Sequence, residues 1–213
     1  MEVVVIAAFV LLFVFAKARS STRGTVTDGG WSERWNAAAH ELDLSARVSS
    51  KQSTMRGEID GHRVSVSAYR NSEPEIEVRF QSGLRSIDIS PRNGRTSKRP
   101  EFSIGDPDFE STFAVRLGFE DREIDAARRW LTPQRREIIT VLNDALEIDD
   151  LDENELEVKL RRDSWTPDEL AQAVRLCVLV AKTLDQSYSP QDRTPTNDVR
   201  EGPQDAVRPP EFP

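Results

Sequence analysis

The sequence is poor in the residues that build disulfides and metal centres. It contains one cysteine, Cys177, and two histidines, His40 and His62, which lie far apart. One thiol cannot form an intramolecular disulfide, and neither histidine has a cysteine or carboxylate at ligand spacing. We therefore expect no metal site and no cofactor, and an apolar core has to hold the fold together.

Catalytic motifs and excess basic charge are also missing. The sequence has no glycine-rich phosphate loop and no nucleophile elbow. Its 29 lysines and arginines are outnumbered by 37 acidic residues, which gives a net charge of −8. General nucleic-acid binders need a basic surface, so we expect no nucleic-acid partner. The composition favours a protein that is not an enzyme.

The N-terminus carries the one long apolar run, from Val3 to Ala16. Extended to Met1 and Ala18, a helix there reaches about 27 Å, close to a hydrocarbon core of about 30 Å. Because Lys17 can snorkel to the interface, we predict a single transmembrane anchor over 1–19. One alternative is a secretory signal peptide cleaved at the small residues around Lys17, although no basic residue precedes the run. The other is a buried or interfacial segment.

Flanking charge predicts the topology of this anchor. Lys17, Arg19 and Arg23 follow the apolar run, and no lysine or arginine precedes it. The positive-inside rule then places the rest of the chain in the cytoplasm, at the cell membrane. A cleaved signal peptide would place it on the opposite side.

Three further regions follow the anchor. Residues 20–30 are small and polar, which is typical of a flexible linker. Residues 31–186 carry the periodic apolar patterns of one soluble domain of roughly 155 residues. Residues 187–213 hold six of the twelve prolines and few large apolar groups, which predicts a disordered tail.

The soluble domain begins with a predicted helix and continues with strands. Trp31, Trp35, Ala38 and Leu42 recur at helical spacing. Asp60-Gly61 is a strong signal for a two-residue hairpin turn, because both positions need positive φ. The predicted strands cover Thr54–Ile59, His62–Tyr69, Glu75–Phe80, Ser86–Ile89 and Phe113–Leu117.

The C-terminal part returns to helices around a second hairpin. Thr132-Pro133 and the capping box that opens at Thr166 mark two helix starts. The predicted elements are helices over Glu120–Trp130, Pro133–Leu142 and Pro167–Asp185, and strands over Leu146–Ile148 and Glu155–Leu160. This order predicts an α+β fold: an antiparallel sheet with helices packed on one face, preceded by one transmembrane helix.

Three carboxylates lie close together at Asp106, Asp108 and Glu110. If they converged in a pocket, they could carry acid–base chemistry, and the chain would be a hydrolase-type enzyme. The alternative is a turn in which Gly105 provides backbone freedom and Asp106 caps a short helix. We favour the turn.

An acidic segment covers residues 144–157, with eight acidic residues and no basic ones. It imitates the start of a calcium-binding loop, but Glu155 and Arg161 stand where such a loop needs glycine and glutamate. A solvated acidic hairpin fits better, and it could contact a basic partner protein. The candidate contact residues are Asp149, Asp150, Asp152 and Glu153.

A basic loop lies between two of the predicted strands. Arg92, Arg95, Lys98 and Arg99 place four cations in eight residues without an acid. Near a bilayer, each could contribute about 1 kcal/mol with anionic headgroups. The loop is therefore a candidate contact for lipid or partner, and a plain solvated loop is the alternative.

The chain resembles a group of bacterial membrane-anchored α+β proteins whose activity is not established. The resemblance rests on the Trp31–Leu44 helix, the Gly57–Val64 hairpin, the Gly105-Asp106-Pro107-x-Phe109 motif and the last helix. It implies the architecture but no activity. Together with the missing motifs, it favours a membrane-tethered, non-catalytic interaction or scaffold domain. The hydrolase and a lipid-binding role for residues 92–99 are the alternatives.

Overall fold

The computed structural model describes residues 29–70, 72–84, 86–93, 99–118, 121–161 and 165–185. The predicted anchor, nearly all of the predicted linker and the predicted tail lie outside these residues. Within the described ranges, no helix has both the length and the apolar character that crossing a membrane requires.

Five helices and eight strands make up the described chain. The helices are α1 (Gly29–Glu41), α2 (Pro107–Thr112), α3 (Asp121–Trp130), α4 (Pro133–Ala145) and α5 (Pro167–Asp185). The strands are β1 (Ser45–Val48), β2 (Gln52–Ile59), β3 (His62–Tyr69), β4 (Glu75–Arg79), β5 (Ile87–Pro91), β6 (Phe113–Leu117), β7 (Glu147–Asp152) and β8 (Glu155–Lys159). Most predicted elements agree within a few residues.

The strands form one sheet in the order β1-β2-β3-β4-β8-β7-β5-β6, and all neighbours are antiparallel. The predicted α+β class with an antiparallel sheet is therefore confirmed. The hairpin β7–β8 enters between β4 and β5, which are consecutive strands in the chain. This insertion brings residues about 80 positions apart in sequence side by side.

The first hairpin forms as its turn residues predict. Asp60 has φ 52° and Gly61 has φ 82°, so both take the left-handed conformation that a tight turn needs. Ile59 and His62 face each other directly behind the turn. Any residue with a side chain would be strained at position 61. Gly61 therefore favours the two-residue turn, and this turn sets the register of the β2–β3 pair.

Alternation along β2, β3, β4, β7 and β8 gives a buried face and a charged face, whereas every residue of β6 is buried. On β4, Ile76 and Val78 are fully buried, and their neighbours Glu75, Glu77 and Arg79 are not. The buried side chains contact α5, which crosses β3, β4 and β8, and α4, which packs against β7. Helix α1 lies along α5 and β1. The core therefore sits between the sheet and its helices.

Predicted caps begin two of these helices. The hydroxyl of Thr132 accepts the backbone N–H of Arg135 at the start of α4. At α5, Thr166 and Glu169 exchange backbone and side-chain hydrogen bonds, as a capping box requires. Both helices thus begin where the sequence predicts.

Two strands differ from the prediction. Strand β1 was not predicted, because its four residues are exposed or half-buried and show no strong apolar alternation. Strand β7 is longer than predicted and ends at Asp152, inside the acidic segment. Both strands are held by their neighbours, β2 and β8, and not by their own pattern.

Candidate functional site: the charged face of the sheet

The charged face carries a surface that we call the acidic strip, across the middle strands β4, β8 and β7. Its carboxylates alternate with the buried positions of those strands. The strip consists of Glu75, Glu77, Glu147, Asp149, Asp150, Asp152, Glu155 and Glu157. Cations on the same strands offset only part of this charge.

A bulge in β7 adds to the strip. Ile148 and Leu151 are both buried although three positions separate them. The register shifts between Ile148 and Asp150, as happens when one extra residue enters a strand. As a result Asp149 and Asp150 both leave the core side, and the strand presents two adjacent carboxyl groups.

Like charges face each other directly across the strands of this strip. Glu77 is paired with Glu157 between β4 and β8, and Glu157 is paired with Asp150 between β8 and β7. Asp88 and Asp152 are likewise paired between β5 and β7. Like charges in opposed positions destabilise a sheet, so this row works against the fold.

The electrostatics of Glu155 reflect this crowding. Its pKa is raised by burial, then by the charge of Glu77 and a hydrogen bond to it, while Arg79 at 3.3 Å acts in the opposite direction. A carboxyl group with a raised pKa is penalised in its ionised form in the fold. The penalty is complete above the raised pKa and is relieved as the pH falls from the raised pKa to the ordinary value.

One lysine neutralises part of the strip. Oxygen atoms of Glu75, Asp149 and Glu157 lie within 4.8 Å of one another, a spacing that would suit a hard cation. The Nζ atom of Lys159 lies 2.7 Å from Oδ1 of Asp149. Burial disfavours the ammonium group, but these three carboxylates outweigh it and raise the pKa of Lys159. The lysine therefore supplies a cation from within the chain.

The predicted partner contacts fall on or beside this strip. Asp149, Asp150 and Asp152 lie on β7, and Glu153 lies in the turn that follows. The Asp152 carboxylate accepts the backbone N–H groups of Asn154 and Glu155, each at 2.7 Å, and so also shapes the turn. Glu75 and Glu77 of β4 were not among the predicted contacts, because they lie some 70 residues before β7 in the sequence.

A second feature of the charged face, the arginine groove, borders the strip at β2 and β3. It is a cavity of about 370 Å³ lined by Arg56, Gly57, Arg63, Val64, Ser65, Glu77 and Arg79. Nε of Arg79 lies 3.1 Å from Glu77, which joins the groove to the strip. Positive and negative surfaces therefore lie next to each other.

A larger cavity of about 640 Å³ continues from the groove and shares Arg63 and Arg79 with it. His62 is buried at its wall, with Nδ1 3.2 Å from the Arg79 carbonyl oxygen and 3.5 Å from Oδ2 of Asp185. The backbone N–H of Gln81 donates to the same carboxylate at 2.5 Å. These contacts hold the end of α5 against the strands.

The carboxylates of residues 106–110 are engaged in a turn. Asp106 accepts the backbone N–H of Phe109 at 3.1 Å, as a cap of α2, and its Oδ2 lies 2.6 Å from Nε of Arg136. These contacts lower the pKa of Asp106, the capping bond most strongly. Asp108 is exposed, and none of the three carboxylates lines either cavity described above.

Glu110 closes the same turn from the other side. Its Oε1 accepts the backbone N–H groups of Ile104 at 2.7 Å and Gly105 at 2.9 Å, and the Ser103 hydroxyl also donates to it. Although desolvation acts in the opposite direction, these bonds lower the pKa of Glu110. A carboxyl group held ionised in this way is a structural anion and a poor proton donor.

Glu110→Ala is expected to lower the free energy of unfolding by about 1 to 2 kcal/mol, because several backbone donors lose their acceptor at a partly exposed site. Since the folded pKa is lowered, this stabilisation is present above the ordinary value of 4.5 and is lost as the pH falls through the folded value. Urea denaturation at pH 7 and at acidic pH measures both effects. Asp108→Asn is the control, and an equal loss in it would contradict the assignment.

The predicted basic loop is only partly described. Arg92 donates to the Glu110 carbonyl oxygen at 2.5 Å and to Oε2 of Glu101 at 2.9 Å. Arg99 donates to the Ser86 carbonyl oxygen at 3.4 Å. Arg95 and Lys98 lie outside the described residues. Arg92 and Arg99 therefore have contacts within the domain, and their proposed contact with lipid or partner stays a prediction.

Fold and surface together define the class of protein. It is an α+β domain with an eight-stranded antiparallel sheet and helices over its apolar face, and its charged face carries both an acidic and a basic surface. No family model matches the chain, and the search of curated proteins gives no match. The fold is similar to the crystal structure of the mycobacterial trehalose monomycolate transport factor A, TtfA, with a TM-score of 0.50. The likeness covers 73% of this chain and 94% of that chain at 13% identity, and it shows the fold alone.

Proposed function

We propose that this chain is a non-catalytic, membrane-associated docking domain that binds a basic segment of a partner protein on its acidic strip. The observation that carries the proposal is the row Glu77, Glu157 and Asp150, where three carboxylates stand opposite one another on adjacent strands. Such a row costs stability and contributes nothing to the core. Unfavourable arrangements of this kind are expected mainly at functional surfaces, where binding compensates for the lost stability.

The chemistry of the strip defines the partner. Carboxylates projecting from a rigid sheet attract lysine and arginine side chains, and complementary charge speeds encounter and fixes register. An extended or helical basic segment could lie across β4, β8 and β7 and neutralise the row. The proposal therefore predicts binding that weakens steeply with salt.

The fold and the N-terminal sequence support a role beside a membrane. A transport factor has a similar fold, which supports an accessory role in a transport assembly. The apolar run of residues 1–19 would tether the domain, and the positive flank would place it on the cytoplasmic side. Under this proposal the chain holds a transport protein in place and carries out no reaction itself.

Carbodiimide cross-linking in intact membranes tests the proposal, because it joins a carboxylate to a contacting lysine amine and identifies both residues. We expect cross-links from Glu155 and Glu157 to the lysines of one basic segment in one partner. They should disappear in about 0.5 M salt, where screening extends over only a few ångströms. Cross-links that are scattered over many proteins, or unchanged by salt, would contradict it.

A matched pair of variants makes the test specific. Glu75→Gln/Glu155→Gln/Glu157→Gln removes three charges from the strip and is expected to abolish the cross-linked complex. Because it relieves like-charge repulsion but also removes carboxylates beside Lys159 and Arg79, its free energy of unfolding at pH 7 should stay close to that of the wild type.

The control removes the same charge from exposed helix positions on the other side of the sheet. It is Glu33→Gln/Glu137→Gln/Asp144→Asn. Recovery of the complex in the control, with its loss in the strip variant, supports the proposal. Equal loss in both would show that only net charge matters and would refute a docking role for the strip.

A further inference from the structure

We infer that the arginine groove is a binding site for a phosphoryl oxyanion. It lies on the same face as the acidic strip but has the opposite charge and different residues. Ser65, one of the smallest side chains a strand can present, lies on the floor of the cavity, and Gly57 contributes only backbone there because its side-chain position faces Leu44 on the core side. The sheet is therefore open at this point to a group of a few heavy atoms.

The strand register arranges three guanidinium groups around one hydroxyl. Arg56 stands opposite Ser65 on the neighbouring strand, and Glu77 stands opposite Ser65 on the other side. Arg63 is two residues before Ser65, and Arg79 is two residues after Glu77, so both project from the same face. Because the strands are antiparallel, both arginines emerge at the same end of this row.

Two of these arginines have no partner among the residues that the structure describes. Arg79 is engaged, 3.1 Å from Glu77 and 3.3 Å from Glu155. Within the described parts of the chain, Arg56 and Arg63 make neither an ion pair nor a hydrogen bond, although Glu58 stands opposite Arg63 in the register. The fold thus leaves two guanidinium groups uncompensated at a cavity, beside a surface rich in carboxylates.

This arrangement matches the chemistry of a phosphoryl group. Arg79 is neutralised by Glu77 and Glu155, so Arg56 and Arg63 supply the positive charge that a phosphate monoester or pyrophosphate requires. Guanidinium forks bind phosphoryl oxygens with paired hydrogen bonds, and the Ser65 hydroxyl adds a further donor. The larger cavity, which shares Arg63 and Arg79, gives room for the group attached to the phosphoryl. A lipid headgroup and a soluble phosphate compound share this chemistry.

Isothermal titration of the full chain, purified in a neutral detergent, with pyrophosphate tests the site. The variant Arg56→Gln/Arg63→Gln is expected to bind about tenfold more weakly or worse, since it loses charge-assisted bonds. The control Arg47→Gln/Arg129→Gln removes the same charge at exposed positions outside the groove and should bind as the wild type does. Equal weakening in both variants would overturn the inference.

A second arm identifies the source of the phosphoryl group. Mixed micelles that contain phosphatidic acid are added as a competitor, with neutral phosphatidylcholine micelles as the blank. Displacement of pyrophosphate by the anionic micelles identifies a lipid headgroup, and retention identifies a soluble ligand. A wild-type chain that binds neither pyrophosphate nor the anionic micelles would overturn the inference.

Discussion

Trp35→Ala is expected to lower the free energy of unfolding by about 3 to 5 kcal/mol, the largest effect of any single substitution proposed for this chain. Trp35 lies on α1 and is fully buried. Its ring stacks on Trp31 with centroids 5.5 Å apart and meets Trp165 edge-on at 5.6 Å. The three rings join α1 to the segment before α5, so removal leaves a cavity between two helices that cover the sheet.

Chemical denaturation followed by far-ultraviolet circular dichroism measures this loss. Trp35→Phe keeps most of the apolar volume and should cost clearly less, because the indole Nε1 of Trp35 has no hydrogen-bond partner among the described residues. Tyr69→Ala is the control for an exposed aromatic side chain, since Tyr69 is 64% exposed. If Trp35→Ala costs no more than Tyr69→Ala, the tryptophan cluster is not part of the stabilising core.

Arg116→Ala is expected to cost about 2 to 4 kcal/mol, because it removes one partner from a largely buried charge cluster. The side chain of Arg116 is 7% exposed. It donates to the Ser90 hydroxyl at 2.6 Å and lies 3.5 Å from Asp88 and 3.4 Å from Glu101. These contacts fasten the returning segment at Glu101 to the edge of the sheet and neutralise Asp88.

A double-mutant cycle with Asp88→Asn separates the charge effect from the loss of packing. If Arg116 acts by neutralising Asp88, the double variant should be less destabilised than the sum of the two single variants. The effect should be large because Asp88 also faces Asp152, so Arg116 offsets the repulsion between two carboxylates. Additive free energies of unfolding would show that Arg116 and Asp88 are not coupled.

Local sequence signals predicted much of the secondary structure. Asp60-Gly61, Thr132-Pro133 and the capping box at Thr166 each act within a few residues, and each appears as predicted. The turn interpretation of residues 103–110 also agrees with the structure. Asp106 caps α2 by accepting the backbone N–H of Phe109, three positions further along the chain. Signals of this kind need no knowledge of distant parts of the chain.

Only part of the charged face could be predicted from the sequence. The acidic hairpin of β7 and β8 stood out by composition, but no local pattern places Glu75 and Glu77 beside it. That neighbourhood depends on β4 pairing with β8, a contact of about 80 residues in sequence separation. The arginine groove was missed entirely, since Arg56, Arg63 and Arg79 are single cations in otherwise ordinary strands.

By itself the sequence determined most of the segments that become helices and strands, where several of them begin, and that apolar alternation leaves one face of the middle strands polar. These properties follow from hydrophobic period and from capping, which act over a few residues. Only the tertiary structure decided the strand order, the bulge at Asp149, the row of facing carboxylates and the grouping of Arg56, Arg63 and Arg79 at one groove. Strand order depends on packing the whole core at once, and no local pattern specifies it.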